Sequence, residues 1–219
     1  LSFLETEKTD GVAICKPVPD PRRFGVAQID KNGKIEHLVE KPSEMDNNLV
    51  LVGFYYFRDG AELISAIEEQ MEKNITLKNE FYLADAINIM LQRGAHFRVV
   101  EVKTWVDAGT PEAMFDTNHF FLSQGKDNSE EAARRFGDVV IIPPVFIHES
   151  TDVRNSVIGP DVSIAANCRL DGVIVKNAII DKNTTIQKVI FSDALIGRNV
   201  TIDGTTRQLN IGDNAIVEL

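Results

Sequence analysis

Apolar residues follow three rhythms along this chain, and each rhythm predicts a different kind of structure. Near the start, Gly11-Val-Ala-Ile-Cys-Lys-Pro-Val is an almost unbroken apolar run that reads as a buried strand. Val26-Ala-Gln-Ile-Asp and Lys34-Ile-Glu-His-Leu-Val flank Lys31-Asn32-Gly33, and Asn-Gly between such runs predicts a hairpin. Its second arm ends in Glu40-Lys41-Pro42, because proline pushes the residue before it into an extended conformation and lacks the N–H that a ladder needs. Leu49 to Phe57 is apolar throughout and predicts another buried strand, with Gly53 marking a bulge or a close approach of a ligand to backbone.

The second rhythm is helical. Residues 60–72 place Leu63, Ile64, Ile67 and Met71 on one face. A helix is predicted from about Asn79 to Arg93, with Leu83, Ala86, Ile87, Met90 and Leu91 apolar and Gly94 just past its end. Phe81 and Tyr82 read as core packing there, and Glu80 and Asp85 as helix-start and helix-face residues. The strand Phe97–Val102 then leads through Trp105-Val-Asp-Ala-Gly-Thr-Pro-Glu into a helix reaching about Leu122, with Thr110 as N-cap and Pro111 at its first position. Residues 123–137 are polar and charged and read as a linker carrying a short helix.

The third rhythm begins at Val139. Apolar residues recur six apart in rhyming contexts: Ile158-Gly-Pro-Asp-Val-Ser-Ile, Ile180-Asp-Lys-Asn-Thr-Thr-Ile, Ile196-Gly-Arg-Asn-Val-Thr-Ile and Ile211-Gly-Asp-Asn-Ala-Ile-Val. Such hexads are the mark of a parallel β-helix, in which each supplies one face of a triangular coil and Gly or Asn takes the corners that need φ > 0.

Composition narrows the function more than the fold. A net charge of −10 argues against coating DNA or RNA, since a phosphate backbone needs a basic surface. No apolar run approaches membrane-spanning length, and the first residues do not resemble a signal peptide. Cys15 and Cys168 fit no metal spacing or disulfide framework, so a cytoplasmic setting is expected. Asp107 is the residue placed most suggestively. It lies on the turn between a strand end and a helix start, where open α/β sheets bind ligands and where a carboxylate can hold a divalent cation against a phosphate. The plain alternative is a turn aspartate beside a well-capped helix.

Taken in order, Asp20-Pro-Arg-Arg-Phe-Gly-Val, Glu40-Lys-Pro, Val52-Gly-Phe-Tyr, Asn79-Glu-Phe-Tyr-Leu-Ala-Asp-Ala, the Asp107 stretch and the hexads resemble the sugar-1-phosphate nucleotidyltransferases, most closely the glucose-1-phosphate thymidylyltransferase group with a C-terminal left-handed β-helix. The resemblance implies a partial Rossmann-like α/β domain with a mixed sheet over 1–122, a linker over 123–137 and a left-handed β-helix over 138–219. It further implies that Gly25 lets backbone approach a sugar and that Glu40 accepts from sugar hydroxyls. Lys41 is implied to bind the sugar phosphate, Val52 and Gly53 to line the pocket, and Asp107 to hold Mg²⁺. Lys41 and Asp107 are thus the implied catalytic residues. Their reaction would be attack of a sugar-phosphate oxygen on the α-phosphorus of a nucleoside triphosphate with loss of pyrophosphate.

The family's front segment, a Gly-rich triphosphate-binding loop with the partner aspartate, is not in this sequence. Without it the chain alone is expected not to transfer nucleotides. An apolar edge and face are expected to be left open, so that the chain self-associates through its α/β part as a homo-oligomer. Two other readings stand beside this one. One is a non-catalytic binding or oligomerisation module. The other is a hexad acyltransferase, for which His148 is the only candidate base and reads more readily as structural.

Overall fold

A computed structural model describes residues 9–204. The opening piece at residues 1–8 and the last hexad, Ile211 to Val217, fall outside the described residues. By packing, the chain divides into two units between Trp105 and Val106.

The first unit is a five-stranded mixed sheet with two helices. Its strands are β1 (Gly11–Pro17), β2 (Gly25–Ile29), β3 (Ile35–Glu40), β4 (Leu49–Phe57) and β5 (Phe97–Glu101), in the order β3-β2-β4-β1-β5. The Asn-Gly hairpin forms as expected, with β2 antiparallel to β3 and Gly33 at φ 76°. The apolar run of β1 is interior, antiparallel to β4 and parallel to β5. Gly53, at φ 81°, sits in an irregularity where Ala13 pairs with Tyr55 but Cys15 with Leu51. Only Leu49 to Leu51 of β4 are buried; past the bulge Phe54 and Tyr56 are exposed, so this strand is not covered on both faces as its composition suggests.

Both helices depart from their expected faces or ends. In α1 (Gly60–Glu72) the inward stripe is Leu63, Ala66, Ile67 and Gln70, whereas Ile64 and Met71 are exposed. The latter two lie about 100° round the helix from that stripe. The next helix, α2 (Leu83–Gln92), starts later than Asn79 because Lys78 and Asn79 take positive φ, which no right-handed helix admits. Leu77 and Glu80 instead exchange backbone hydrogen bonds in a tight turn. Gly94 ends α2 at φ 95°, as expected. The side chain of Asn88, inside α2, closes the edge of the sheet. Its Oδ1 accepts from Leu38 N–H at 2.9 Å and its Nδ2 donates to Leu38 C=O at 2.8 Å, as a neighbouring strand would.

The second unit opens with α3 (Pro111–Phe121), whose N-cap Thr110 accepts from Ala113 N–H at 3.2 Å. A π-helical turn (Leu122–Lys126) and α4 (Ser129–Arg135) follow. The stretch expected to be a linker is packed structure. Ala132 joins the core of the coils, Asn128 makes two hydrogen bonds to the backbone of Ile147, and Asp127 accepts from Val145 N–H. By packing, residues 106–137 fall in the same unit as the hexad coils.

The hexads form a parallel-strand β-helix of about four turns on three faces. One face stacks β6 (Val140–Ile141), β9 (Val157–Ile158) and the first halves of β12 (Ile174–Ile180) and β14 (Ile190–Ile196). The second stacks β7 (Val145–Ile147), β10 (Val162–Ile164) and the second halves of β12 and β14. The third stacks β8 (Asp152–Arg154), β11 (Arg169–Asp171), β13 (Thr185–Gln187) and β15 (Thr201–Asp203). Ile158, Ile164, Leu170, Val175, Ile180 and Ile186 fill the interior. Positive-φ residues stack at each corner: Asp161, Asn177 and Asp193; Asn167, Asn183 and Asn199; Asn155, Gly172 and Lys188. Side-chain amides tie successive turns, with Asn167 donating to Asn183 at 3.3 Å and Asn183 to Asn199 at 3.0 Å.

Candidate functional site

The residues singled out in the first unit gather where β2, β3 and β4 run together. Gly25 pairs with Glu40 across the hairpin, and Val26 pairs with Val50 on the other side. This brings Leu51, Val52 and Gly53 alongside. A Cβ at Gly25 would lie 2.8 Å from Glu40 Oε2 and 2.9 Å from Leu51 Cδ1, so only glycine leaves the carboxylate its place. Glu40 is half-buried. Burial raises its carboxyl above the ordinary carboxylate range; the Lys41 charge works against the rise and Asp85 adds to it. Asp85 is itself raised by burial, with His37 opposing. Tyr55 is pushed up to about 12 by burial, with Cys15 and Glu40 adding.

Lys41 follows directly and has a left-handed backbone at φ 48°. A non-glycine residue there costs about 1–2 kcal/mol, so surrounding structure must hold it. Lys41 N–H donates to Phe24 C=O at 3.0 Å, which fixes the turn to the loop before β2. That loop is closed by Asp20, which takes two side-chain hydrogen bonds from Arg22 at 2.9 and 2.6 Å. The Arg22 guanidinium holds the Asp20 carboxyl down at about 2. The ring of Phe24 meets Trp105 edge-on, with centroids 5.2 Å apart.

Two residues that the sequence assigns elsewhere reach this site. Tyr82 is not core packing: its hydroxyl accepts from Lys41 Nζ at 2.6 Å and donates to Glu80 Oε2. Phe81 is exposed. The false start of α2 at Asn79 hid this, because a helical reading turns Tyr82 toward the core. Two consecutive left-handed residues are not visible in composition, so no periodic signal marks the turn.

Asp107 belongs to the second unit. Its Oδ1 accepts from Gly109 N–H at 3.0 Å, and its backbone C=O accepts from the Thr117 hydroxyl of α3. The loop is thus tied to its helix twice. Among the described residues no group of three or more His, Cys, Asp or Glu gathers to hold a metal. One hard carboxylate is a fitting donor for a Mg²⁺ ion shared with phosphates and a further carboxylate, and is not a site alone. His148 is engaged in a turn, its Nδ1 accepting from Ser150 N–H at 3.1 Å. No described helix is long and apolar enough to cross a membrane.

A nucleotidyl transferase family model matches residues 2–124, and a GlmU-like C-terminal hexapeptide model matches residues 131–218. A glucose-1-phosphate thymidylyltransferase of Streptomyces antibioticus is 30% identical over 172 residues, covering 71% of this chain and 47% of that protein. A second, of Streptomyces griseus, is 26% identical over 190 residues, covering 79% and 52%. A low-salt glycan biosynthesis nucleotidyltransferase of Haloferax volcanii is 28% identical over 201 residues, covering 82% and 54%. The chain spans about half the length of the curated relatives it matches.

Proposed function

This chain belongs to the nucleotidyl transferase family, and from that premise we propose that its first unit binds a hexose 1-phosphate as the acceptor in a nucleotidyl transfer of the glucose-1-phosphate thymidylyltransferase type. The observation that carries this reading is the joining of a half-buried carboxylate, an ammonium and a glycine at one strand end. That set suits a polyhydroxylated phosphate ester. Glu40 accepts from sugar hydroxyls, and its partial burial strengthens those bonds by excluding water. Lys41 meets the phosphate as a compact charge. Gly25, Val52 and Gly53 leave room for the ring.

In the transfer, a phosphate oxygen of the sugar ester attacks the nucleotide α-phosphorus in line, a new P–O bond forms, and the bond to pyrophosphate breaks. The first unit's part is to orient the nucleophile and offset its charge, which needs no covalent intermediate. Asp107 is the carboxylate that this reading gives to Mg²⁺, whose chemistry when bound is neutralisation of phosphoryl oxygens. The reading also takes a nucleoside triphosphate as second substrate, a homo-oligomeric state and a cytoplasmic setting.

Titration calorimetry with glucose 1-phosphate tests it. Weak binding is expected, and Lys41→Ala is expected to cost about 1.5–3 kcal/mol, the range for a hydrogen bond to a charged group. Equal binding by wild type and variant would overturn the assignment.

A further inference from the structure

The chain of contacts beyond Lys41 ends on a carboxylate, Glu80, that has no part in the reading above. Lys41 Nζ donates to the Tyr82 hydroxyl at 2.6 Å and lies 4.6 Å from the centre of its ring. The hydroxyl in turn donates a hydrogen bond to Glu80 Oε2. Lys41 and Glu80 are exposed and Tyr82 is only half-buried, so it is chiefly the backbone beneath them that is held.

Gln70 does that holding. It is a polar residue of α1 with only 2% of its surface exposed, and its Nε2 donates to Ile75 C=O at 3.3 Å and to Tyr82 C=O at 3.0 Å. One buried amide thus pins both ends of the loop 75–82. Between those ends the left-handed Lys78 and Asn79 turn the chain back, and the paired Leu77 and Glu80 close it. The loop is built to present Tyr82 and Glu80 to Lys41, and it does so at the strand end where the acceptor phosphate would sit.

We propose that Tyr82 is the positioning residue of Lys41 and that Glu80 is a built-in competitor of the ligand's phosphate, a carboxylate parked through the tyrosine hydroxyl on the ammonium that the phosphate must use. The proposal rests on Lys41 being the phosphate-binding residue. Tyr82 holds the flexible lysine stem ready, which lowers the ordering cost of binding. Glu80 places a negative charge one hydroxyl away from an arriving phosphate, which opposes it. The Tyr82 hydroxyl, then Glu80 and Glu40, also raise the Lys41 ammonium above its ordinary range, so it stays charged throughout.

The two halves of the proposal carry opposite signs, and that separates them from a structural role. With glucose 1-phosphate as probe, Tyr82→Phe is expected to weaken binding by about tenfold, the loss of one hydrogen bond to a charged group. Glu80→Gln keeps an acceptor for the tyrosine proton and removes the charge; it is expected to tighten binding by about three- to tenfold, more at low salt than at high. A loop that merely supports the fold would give weaker binding in both variants, and that result overturns the proposal. So do two variants that bind as wild type while Lys41→Ala loses binding, which leaves the sugar-phosphate reading intact. No binding by the wild type, or none lost in Lys41→Ala, sinks that reading instead. The contact is then judged without ligand, by NMR titration of Lys41. Its ammonium is expected to titrate lower in Glu80→Gln and Tyr82→Phe than in wild type, and an unchanged titration overturns the arrangement.

Discussion

Replacing Asn88 by leucine removes the group that closes the sheet edge leading to the site. β3 is an edge strand, and Leu38 within it is 1% exposed, so its outward N–H and C=O have no access to water. Asn88, 7% exposed, serves both. Losing it strands two buried backbone groups at about 1–3 kcal/mol each. The leucine returns about 1–2 kcal/mol through apolar burial, which leaves a net loss of about 2.5 kcal/mol at the middle of both ranges. That is a large part of the stability of an ordinary domain. The assay is urea unfolding followed by the fluorescence of Trp105, the only tryptophan, which packs on Phe24 in the first unit and so reports that unit. Hydrogen exchange at residues 36–41 is expected to quicken in step, because Glu40 and Lys41 hang from the end of this strand. A midpoint shift worth less than about 0.5 kcal/mol, the scatter of an ordinary surface substitution, would refute the reasoning.

Three further predictions follow from separate places. Burial raises the Asp127 carboxyl, but hydrogen bonds from the Ser129 hydroxyl and from the Ser129 and Val145 N–H groups outweigh it and leave it lowered. Its contribution is therefore full above about pH 4, the unfolded value, and is lost as pH falls through the folded one; acid melts in which Asp127→Asn tracks wild type at every pH would contradict this. In Gly11→Ala the new methyl would lie 2.1 Å from Phe97 Cε1, and that ring is fully buried against Phe57. A loss of about 1–3 kcal/mol or more is expected, read as a lowered melting temperature of the first unit. Asp107 offers one carboxylate, so Mg²⁺ alone is expected to bind no tighter than weakly, since this ion takes its other ligands from water and phosphates; calorimetry finding a sub-micromolar site would mean a missed ligand.

The β-helix and the hairpin were legible because their signals are local. Each hexad repeats its own inward residue, and Asn32-Gly33 names its turn. The start of α2 was not legible, because the left-handed Lys78 and Asn79 are lysine and asparagine in a sequence that otherwise suits a helix. Tyr82 was lost with it. The inward stripe of α1 is hidden for a different reason: Gln70 is polar, and its burial answers to two carbonyls, of Ile75 and Tyr82, that lie beyond the end of the helix. The stretch 123–137 reads as a linker because Asp127 and Asn128 look solvated, yet they serve backbone groups of Val145 and Ile147. Glu40, Lys41 and Gly25 stand out in the sequence only through resemblance, and their meeting across one hairpin follows from the pairing of β2 with β3.

The spacing of the coils has a consequence for how this half of the chain can change length. Successive turns register Val145 with Val162 and then Ala178, steps of seventeen and sixteen residues, and from Asn155 onward each turn has one left-handed corner per face. Cutting out 173–188 would join Gly172 to Val189-Ile190 in place of Val173-Ile174, since Ile174 and Ile190 already stack as equivalent positions on successive rungs. Every inward side chain would stay inward, and thermal melts are expected to show a shorter but cooperative stack. Losing a single residue from 190–192 would instead turn a strand inside out. Length here is counted in rungs, so insertions and deletions are tolerated whole or not at all.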